Sequence, residues 1–376
     1  MNFNISLQNK IFFIFIIVLS MSISLVGWFG YKTTSNGYIE SAYEISERDI
    51  NNLTVKIEGT LIHVTKDAQY IKKFYALKRY LLWKSMSVET KEKRWKNIFS
   101  DALLDFLKAQ KDYYQIRVIS LDGHELLVVN YEEKNNNAYV VLDSGLQNKS
   151  GRDYVEIPKT LSKDEFFISD MNLNKEYGKI EKPFNPVLRY STPMISDNGD
   201  MIGIFTVNIY AQNILDIVKQ ASLDNAKKGF SYFLIDKDGN YLFHEDESKR
   251  WGAQIKGKSN FNDDHFNLKS MMQDKSKGTF ILNNKIYSYH TVHPLKENSE
   301  NYWYAVSSVD TEVALAKLDD FEELFVLILL FVIMISFFII KFYLLRITTP
   351  LAQVTSQLKA LSKGETPIPT TSAIST

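Results

Sequence analysis

Two apolar runs bracket the chain and decide most of what it can become. Ile11 to Phe29 is almost unbroken, and Leu324 to Leu345 is interrupted only by Lys341. Each is long enough to cross about 30 Å of hydrocarbon as a helix, the one open-ended conformation that satisfies its own backbone there. The alternative for the first run is a cleaved signal peptide. Its apolar core is long, however, and no small-x-small cleavage site follows it before Gly27-Trp28-Phe29-Gly30, so it is read as an uncleaved anchor. Trp28, Phe29 and Tyr31 near one end, and Phe342 and Tyr343 at the end of the second run, suit the membrane interface, to which Lys341 can extend its ammonium. Lys341, Arg346, Lys359 and Lys363 lie at or beyond the end of the second run while Glu322 and Glu323 precede it, from which both termini are expected on the cytoplasmic side of a membrane spanned twice.

The organisation expected is then 1–10 cytoplasmic, 11–31 first span, 32–323 outside, 324–345 second span and 346–376 cytoplasmic again. The 376 residues, 45% of them hydrophobic, suffice for two or three cores. Lys+Arg and Asp+Glu both total 44, so no basic excess suggests nucleic acid as a partner. The chain has no cysteine, which excludes disulfides, thiolate chemistry and cysteine-based metal sites.

Within the outer region, Ile50, Leu53, Ile57, Leu61, Val64, Ala68 and Ile71 recur at three- and four-residue steps and predict one long helix from Gly37 to about Lys73. Its apolar stripe must pack on the same helix of a second copy, on its own sheet, or on both. Thr90 to Gln110 is a second helical stretch. Strands follow at Tyr113 to Ser120 and Glu125 to Tyr131, joined by Leu121-Asp122-Gly123-His124, whose Asp-Gly tip is a hairpin signal. Leu188 to Ile195 and Met201 to Ile209 form another hairpin around Asp197-Asn198-Gly199-Asp200, with a polar loop from Asn172 to Pro186 overhanging it. After a short helix at Asn213 to Ala221, the same grammar returns. Phe230 to Ile235 and Asn240 to His244 flank Asp236-Lys237-Asp238-Gly239, and three more strands come from Gly278 to Asn283, Lys285 to Val292 and Tyr302 to Val309. This internal repeat implies two α+β modules in series, 113–212 and 213–323, supported by the helices of 32–112.

The segments YYQIRVISLDG, GRDYVEIPKTLSKDEFFISDMNLNKEYGKI, PVLRYSTPMISDNGDMIGIFTVNI, FLIDKDGNYLFHED and ESKRWG resemble the tandem Cache (PDC) sensor, two PAS-like modules on a long helix, of bacterial sensor histidine kinases, chemoreceptors and membrane diguanylate cyclases. RITTPLAQVTSQLKALSKGE is similar to the first helix of a HAMP domain, with Pro350 and Glu365 at the positions that the family uses in signal transmission. The second HAMP helix and any kinase, cyclase or methylation module are absent, which suggests a fragment or a receptor shorn of its output. The resemblance implies a membrane receptor, homodimeric, that binds a small molecule in the distal module and passes a signal through the second span. No catalytic group or cofactor is expected in this chain; if it is part of a longer protein, family habit makes it the sensory half of a histidine kinase or diguanylate cyclase. A docking receptor for a periplasmic binding protein is the other reading.

The family's amino-acid sensors hold the ligand carboxylate with an R-x-W-Y segment and its amine with an aspartate late in the last strand. Here GRDYVE supplies Arg152 and Tyr154, but Val155 stands where the second aromatic belongs, and Asn208 replaces the aspartate. An ammonium would lack its counter-ion, which favours a carboxylate or another polar solute. Arg152 and Arg189 are then the candidate anchors. Arg189 has two open roles, ligand anchor or structural partner of Asp170 or Glu181. Asp170 can face the ligand or brace the loop, and Asn208 can bind ligand or tie down a neighbouring loop. Asp263-Asp264-His265 are adjacent, so regular structure does not aim all three at one metal ion, and no metal is expected.

Overall fold

The computed structural model describes residues 7–176, 178–267, 276–295 and 301–364. They fall into two compact units, Ala42–Val313 on one hand and Met1–Ser41 with Ala314–Thr376 on the other. Helix α1, Leu7–Lys72, runs through both.

In the larger unit, the predicted stripe of α1 is buried throughout: Ile50, Leu53, Ile57, Leu61, Val64, Ala68 and Ile71 are each at most 4% exposed. Of the two packing partners left open by the sequence, the chain's own sheets supply this burial. Helices α2 (Tyr75–Ser85) and α3 (Glu89–Ala109) follow. The first sheet of this unit, within residues 113–212 and labelled distal after the expectation above, has seven strands, all antiparallel. From one edge its longer strands run β3 (Asn137–Val140), β2 (Glu125–Glu132), β1 (Tyr113–Ile119), β9 (Met201–Tyr210) and β8 (Pro186–Ile195). The short β4 (Phe167–Ile168) and β5 (Asn172–Leu173) both pair with β8, and β6 (Lys175–Glu176) with β7 (Lys179–Ile180) forms a separate ribbon.

Residues paired in register share a face, so the sheet's two sides can be read from its ladders. One side carries Tyr190, Val207, Ile116 and Val129 in one row. Thr192, one row along that side, accepts a hydrogen bond from Lys72 Nζ at the end of α1, at 3.0 Å. The opposite side carries Arg189, Asn208, Gln115 and Asn130 in one row and Ser191, Thr206, Arg117 and Val128 in the next. That polar side is covered by a four-residue helix, α4 (Asp153–Glu156), and the segments around β4 and β5. Gly123 leaves room for the segment that leads into α4. At φ +91° it adopts a conformation that L side chains disfavour, and a Cβ there would lie 2.5 Å from the Ser150 backbone nitrogen.

After α5 (Gln212–Asn225), the second sheet, labelled proximal in the same sense, is five-stranded and antiparallel, ordered β11 (Tyr241–Phe243), β10 (Phe230–Asp236), β14 (Trp303–Asp310), β13 (Lys285–Val292) and β12 (Lys277–Leu282). One side packs on α1, where Ser46 Oγ and Ser307 Oγ are 2.8 Å apart. The other packs an aromatic core under the short α6 (Phe261–Asp264), with Phe233, Tyr241, Phe261 and Tyr304 buried. The fold is α+β with antiparallel sheets, as the repeat in the sequence implies.

Past β14 the chain forms α7 (Thr311–Leu315), a single intervening residue, Ala316, and α8 (Lys317–Leu361). In the smaller unit, the N-terminal part of α1 and the Phe321–Tyr343 stretch of α8 are long and apolar enough to cross a membrane. Gly27 lets the two helices approach: a Cβ there would fall 1.9 Å from Cζ of Phe325. Phe12 and Phe337 meet edge to face at 5.2 Å. Pro350 lies inside α8, and Glu365 lies outside the described residues.

Candidate functional site

The polar side of the distal sheet concentrates groups that a strand interior does not normally bury. Arg117, Gln115, Glu125, Arg189, Thr206 and Asn208 are all buried, Asn208 completely. A chain of amides crosses three strands. Asn208 Nδ2 donates to Gln115 Oε1 at 3.0 Å, Gln115 Nε2 to Asn130 Oδ1 at 2.6 Å, and Asn130 Nδ2 to the Tyr139 hydroxyl at 3.2 Å. Because each amide donates onward, the first carbonyl in the chain is left over. Asn208 Oδ1 is buried with no hydrogen-bond partner among the described residues. An acceptor in that state costs about 1–3 kcal/mol.

Beside it in register, Arg189 Nη2 donates to Asn174 Oδ1 at 3.0 Å, and the guanidinium lies 5.4 Å from the centre of the Tyr154 ring. Asn174 Nδ2 donates in turn to Glu181 Oε2 at 3.1 Å, so an amide links Arg189 to Glu181. One row further, Arg117 Nε is 3.2 Å from Glu125 Oε1, both side chains 3% exposed, and Arg117 Nη1 donates to the Tyr154 hydroxyl at 3.3 Å. Tyr154 is thus the point where two arginines meet, held over the sheet by α4, whose Val155 packs with Ile119 and Ile204.

The structure therefore brings Tyr154, Arg189 and Asn208 together. It places Arg152 and Asp170 on the covering segments with exposed side chains. Arg152 precedes α4, its carbonyl accepting from the Val155 and Glu156 backbone nitrogens, and the Asp170 carbonyl accepts from Ser169 Oγ at 2.9 Å. Gln115, Arg117 and Glu125 were not singled out by the sequence. The signal that would have found them is the polar alternation of Gln115 and Arg117 within an otherwise apolar strand, on the face that Asn208 shares.

Two side-chain amides of the proximal module reach the cover of this site. Asn301 Nδ2 donates to the carbonyls of Ile168 and Ser169 at 2.9 and 3.1 Å, and Gln254 Nε2 donates to the Leu173 carbonyl at 3.1 Å while its Oε1 accepts from the Leu173 nitrogen. Ser169 in turn bonds the backbone of Arg189 in both directions.

The Asp263-Asp264-His265 stretch belongs to the proximal core. Asp264 accepts from Tyr241 and Lys249, and His265 stacks on Phe261 with Nδ1 3.0 Å from the Tyr287 hydroxyl. Burial lowers the His265 pKa to about 4, against the pull of Asp264, and burial also lowers that of His244. A histidine that titrates below its unfolded value stabilises the fold while neutral. Its contribution is complete above about pH 6.5 and is lost as pH falls toward 4, because the unfolded chain takes up the proton first. The unfolding free energy from urea titrations is expected to fall from pH 6.5 to 4.5 with a slope of up to about 1.4 kcal/mol per pH unit for such a group. The slope should flatten in His265→Phe, and an unchanged slope would show that His265 does not carry it.

A profile described as the bacterial histidine kinase sensor domain matches residues 78–305. Among solved structures, the extracellular domain of the putative histidine kinase vpHK1S-Z8 superposes with TM-score 0.62 at 18% identity, over 75% of this chain and 96% of that one. A domain of a putative sensory box/GGDEF family protein from Vibrio parahaemolyticus gives TM-score 0.60 at 20% identity, over 74% and 99%. The ligand-binding domain of the Campylobacter jejuni chemoreceptor Tlp3, solved in complex with L-valine, gives 0.51 at 13% identity, over 75% and 98%. No curated protein sequence matches the chain.

Proposed function

The chain belongs to the bacterial histidine kinase sensor domain family, and on that premise we propose that its distal module binds a small carboxylate on the polar side of the sheet. The observation that carries this reading is the buried, unpartnered acceptor Asn208 Oδ1 next to the Arg189 guanidinium. Together they fit a ligand that brings an anion to Arg189 and a neutral donor, a hydroxyl or amide N–H, to Asn208. An ammonium would meet an amide where it needs a carboxylate, which disfavours amino acids. Tyr154 forms the wall between ligand and cover, and Arg152 and Asp170 stand at the entrance. A thermal-shift screen of the full chain in lipid nanodiscs tests this, since a ligand specific to the folded state raises the melting temperature. Hydroxy acids and other small carboxylates should lead the ranking; a ranking led by amines would contradict the reading.

The protein is a membrane protein with an extracytoplasmic sensor domain. In our reading it works as an inner-membrane homodimer with cytoplasmic termini, and ligand binding biases the second span and the HAMP-like segment containing Pro350 and Glu365. A shift of the cover would reach β14 through Asn301, which lies two residues before that strand, and β14 continues through α7 into α8. Cysteine cross-linking between copies along α8 reads this out. Asn301→Ala with Gln254→Ala is expected to leave ligand affinity within about threefold while abolishing the ligand-dependent change in cross-linking. A full response in the double variant would remove the amides from the route.

A further inference from the structure

A cavity of about 660 Å³ lies away from the polar row, between α2 and the tip of the β8–β9 hairpin. It shares no residue with the site of Arg189, Asn208 and Tyr154. Tyr75, Leu82, Leu126, Ile195 and Ile202 form the apolar part of its wall, and it is of the size that accepts a small organic ligand. Leu82 and Ile202 are 38% and 40% exposed, more water contact than a finished core leaves to such side chains.

The charge at this cavity is one-sided. Lys78, Arg79 and Lys84 line it, against a single carboxylate, Asp197. Lys84 is engaged by Glu92 at 3.1 Å, and Lys78 meets Asp197 in an exposed pair of the kind that holds weakly. Arg79 differs from both. It has no carboxylate partner among the described residues, and its Nε is buried without an acceptor, as is the indole N–H of Trp83. Its guanidinium is positioned by three aromatic rings, 5.8 Å from the centre of Tyr75, 5.1 Å from Trp83 and 5.8 Å from Trp95. A planar cation fixed by aromatic faces at an apolar cavity, with donors left over, is matched by a carboxylate that carries an apolar body.

We propose that this cavity is a second ligand site, specific for an amphipathic carboxylate whose apolar part fills the space between α2 and the hairpin and whose anion meets Arg79. The hairpin that closes it is the one whose strands carry Arg189 and Asn208, so an occupant would brace the far end of the same two strands.

The test uses the full chain in nanodiscs, with 4-phenylbutyrate and its neutral counterpart 4-phenylbutanamide as probes in isothermal titration calorimetry. The acid should bind saturably, one per chain, and the amide at least about tenfold more weakly, because it cannot make the charge-assisted contact. Arg79→Gln should weaken the acid by at least about tenfold. Leu82→Glu, a change at a half-exposed wall position that leaves the core alone, should remove binding, and Arg189→Met should leave it unchanged. The proposal is overturned if neither probe gives saturable heat, if acid and amide bind alike, or if Arg79→Gln is neutral. It is equally overturned if Arg189→Met abolishes binding, which would return the probe to the polar row. Sedimentation of Leu82→Glu separates the remaining case: a dimer that becomes a monomer would show that a second copy covers this face.

Discussion

Replacing Arg189 by methionine is expected to weaken a bound carboxylate by about 100-fold, roughly 2.7 kcal/mol, with little loss of stability. The guanidinium is the cation on the polar side of the sheet that is positioned beside the unused Asn208 acceptor, held by Asn174 and the Tyr154 ring. Hydrogen bonds to charged groups are worth about 1.5–3 kcal/mol each, and a bidentate pair with a carboxylate makes two of them in a site screened from water. Methionine keeps the unbranched apolar stem and deletes the guanidinium, with its charge and its hydrogen bond to Asn174. Removing a buried cation also removes its desolvation penalty, which offsets the lost contacts in the ligand-free protein. Calorimetry with the best ligand from the thermal-shift screen gives the affinity, and a melt of the same sample gives the stability. A purely structural arginine would show the opposite pair of results, an unchanged affinity in a destabilised protein.

Glu125→Ala is expected to be the most damaging single change to the distal module, at about 3–5 kcal/mol. Glu125 and Arg117 form a buried pair at 3.2 Å, and the other Glu125 oxygen accepts the Gln147 backbone N–H at 2.8 Å. Truncating the acid removes a buried carboxylate that pairs with the Arg117 charge and releases the segment that leads to α4. Glu125→Gln retains an acceptor for Gln147 and should cost less. Urea midpoints of the three proteins at pH 7 provide the check, and an Ala variant no less stable than the Gln variant would show that the hydrogen bond to Gln147 contributes nothing.

The parts of the fold that were legible are those written in short-range chemistry. The Asp-Gly turn at 122–123 and the Asn-Gly turn at 198–199 marked both distal hairpins, and the seven apolar positions of α1 named its buried stripe. Helix α2 was not read, because α1 ends at Lys72 without a glycine or proline to signal the break. Strand β3 was missed for another reason: it is an edge strand with mostly exposed side chains, so it carries no strong apolar alternation. In the site, Arg189 and Asn208 stood out as polar residues within strands. Their partners did not, because the row from Arg189 to Asn130 is assembled by pairing β8, β9, β1 and β2, and register across a long connection is not encoded locally. Arg152 was chosen through a family motif, and the structure shows its side chain exposed at the start of α4.

Amide hydrogen exchange of the full chain in nanodiscs, with and without the carboxylate that gives the largest thermal shift, tests the central claim most directly. The account predicts ligand-dependent protection in the cover, residues 167–174 and 153–156, and along β8 and β9. Protection confined to the aromatic core of the proximal module, around Phe233, Phe261 and Tyr304, would contradict it.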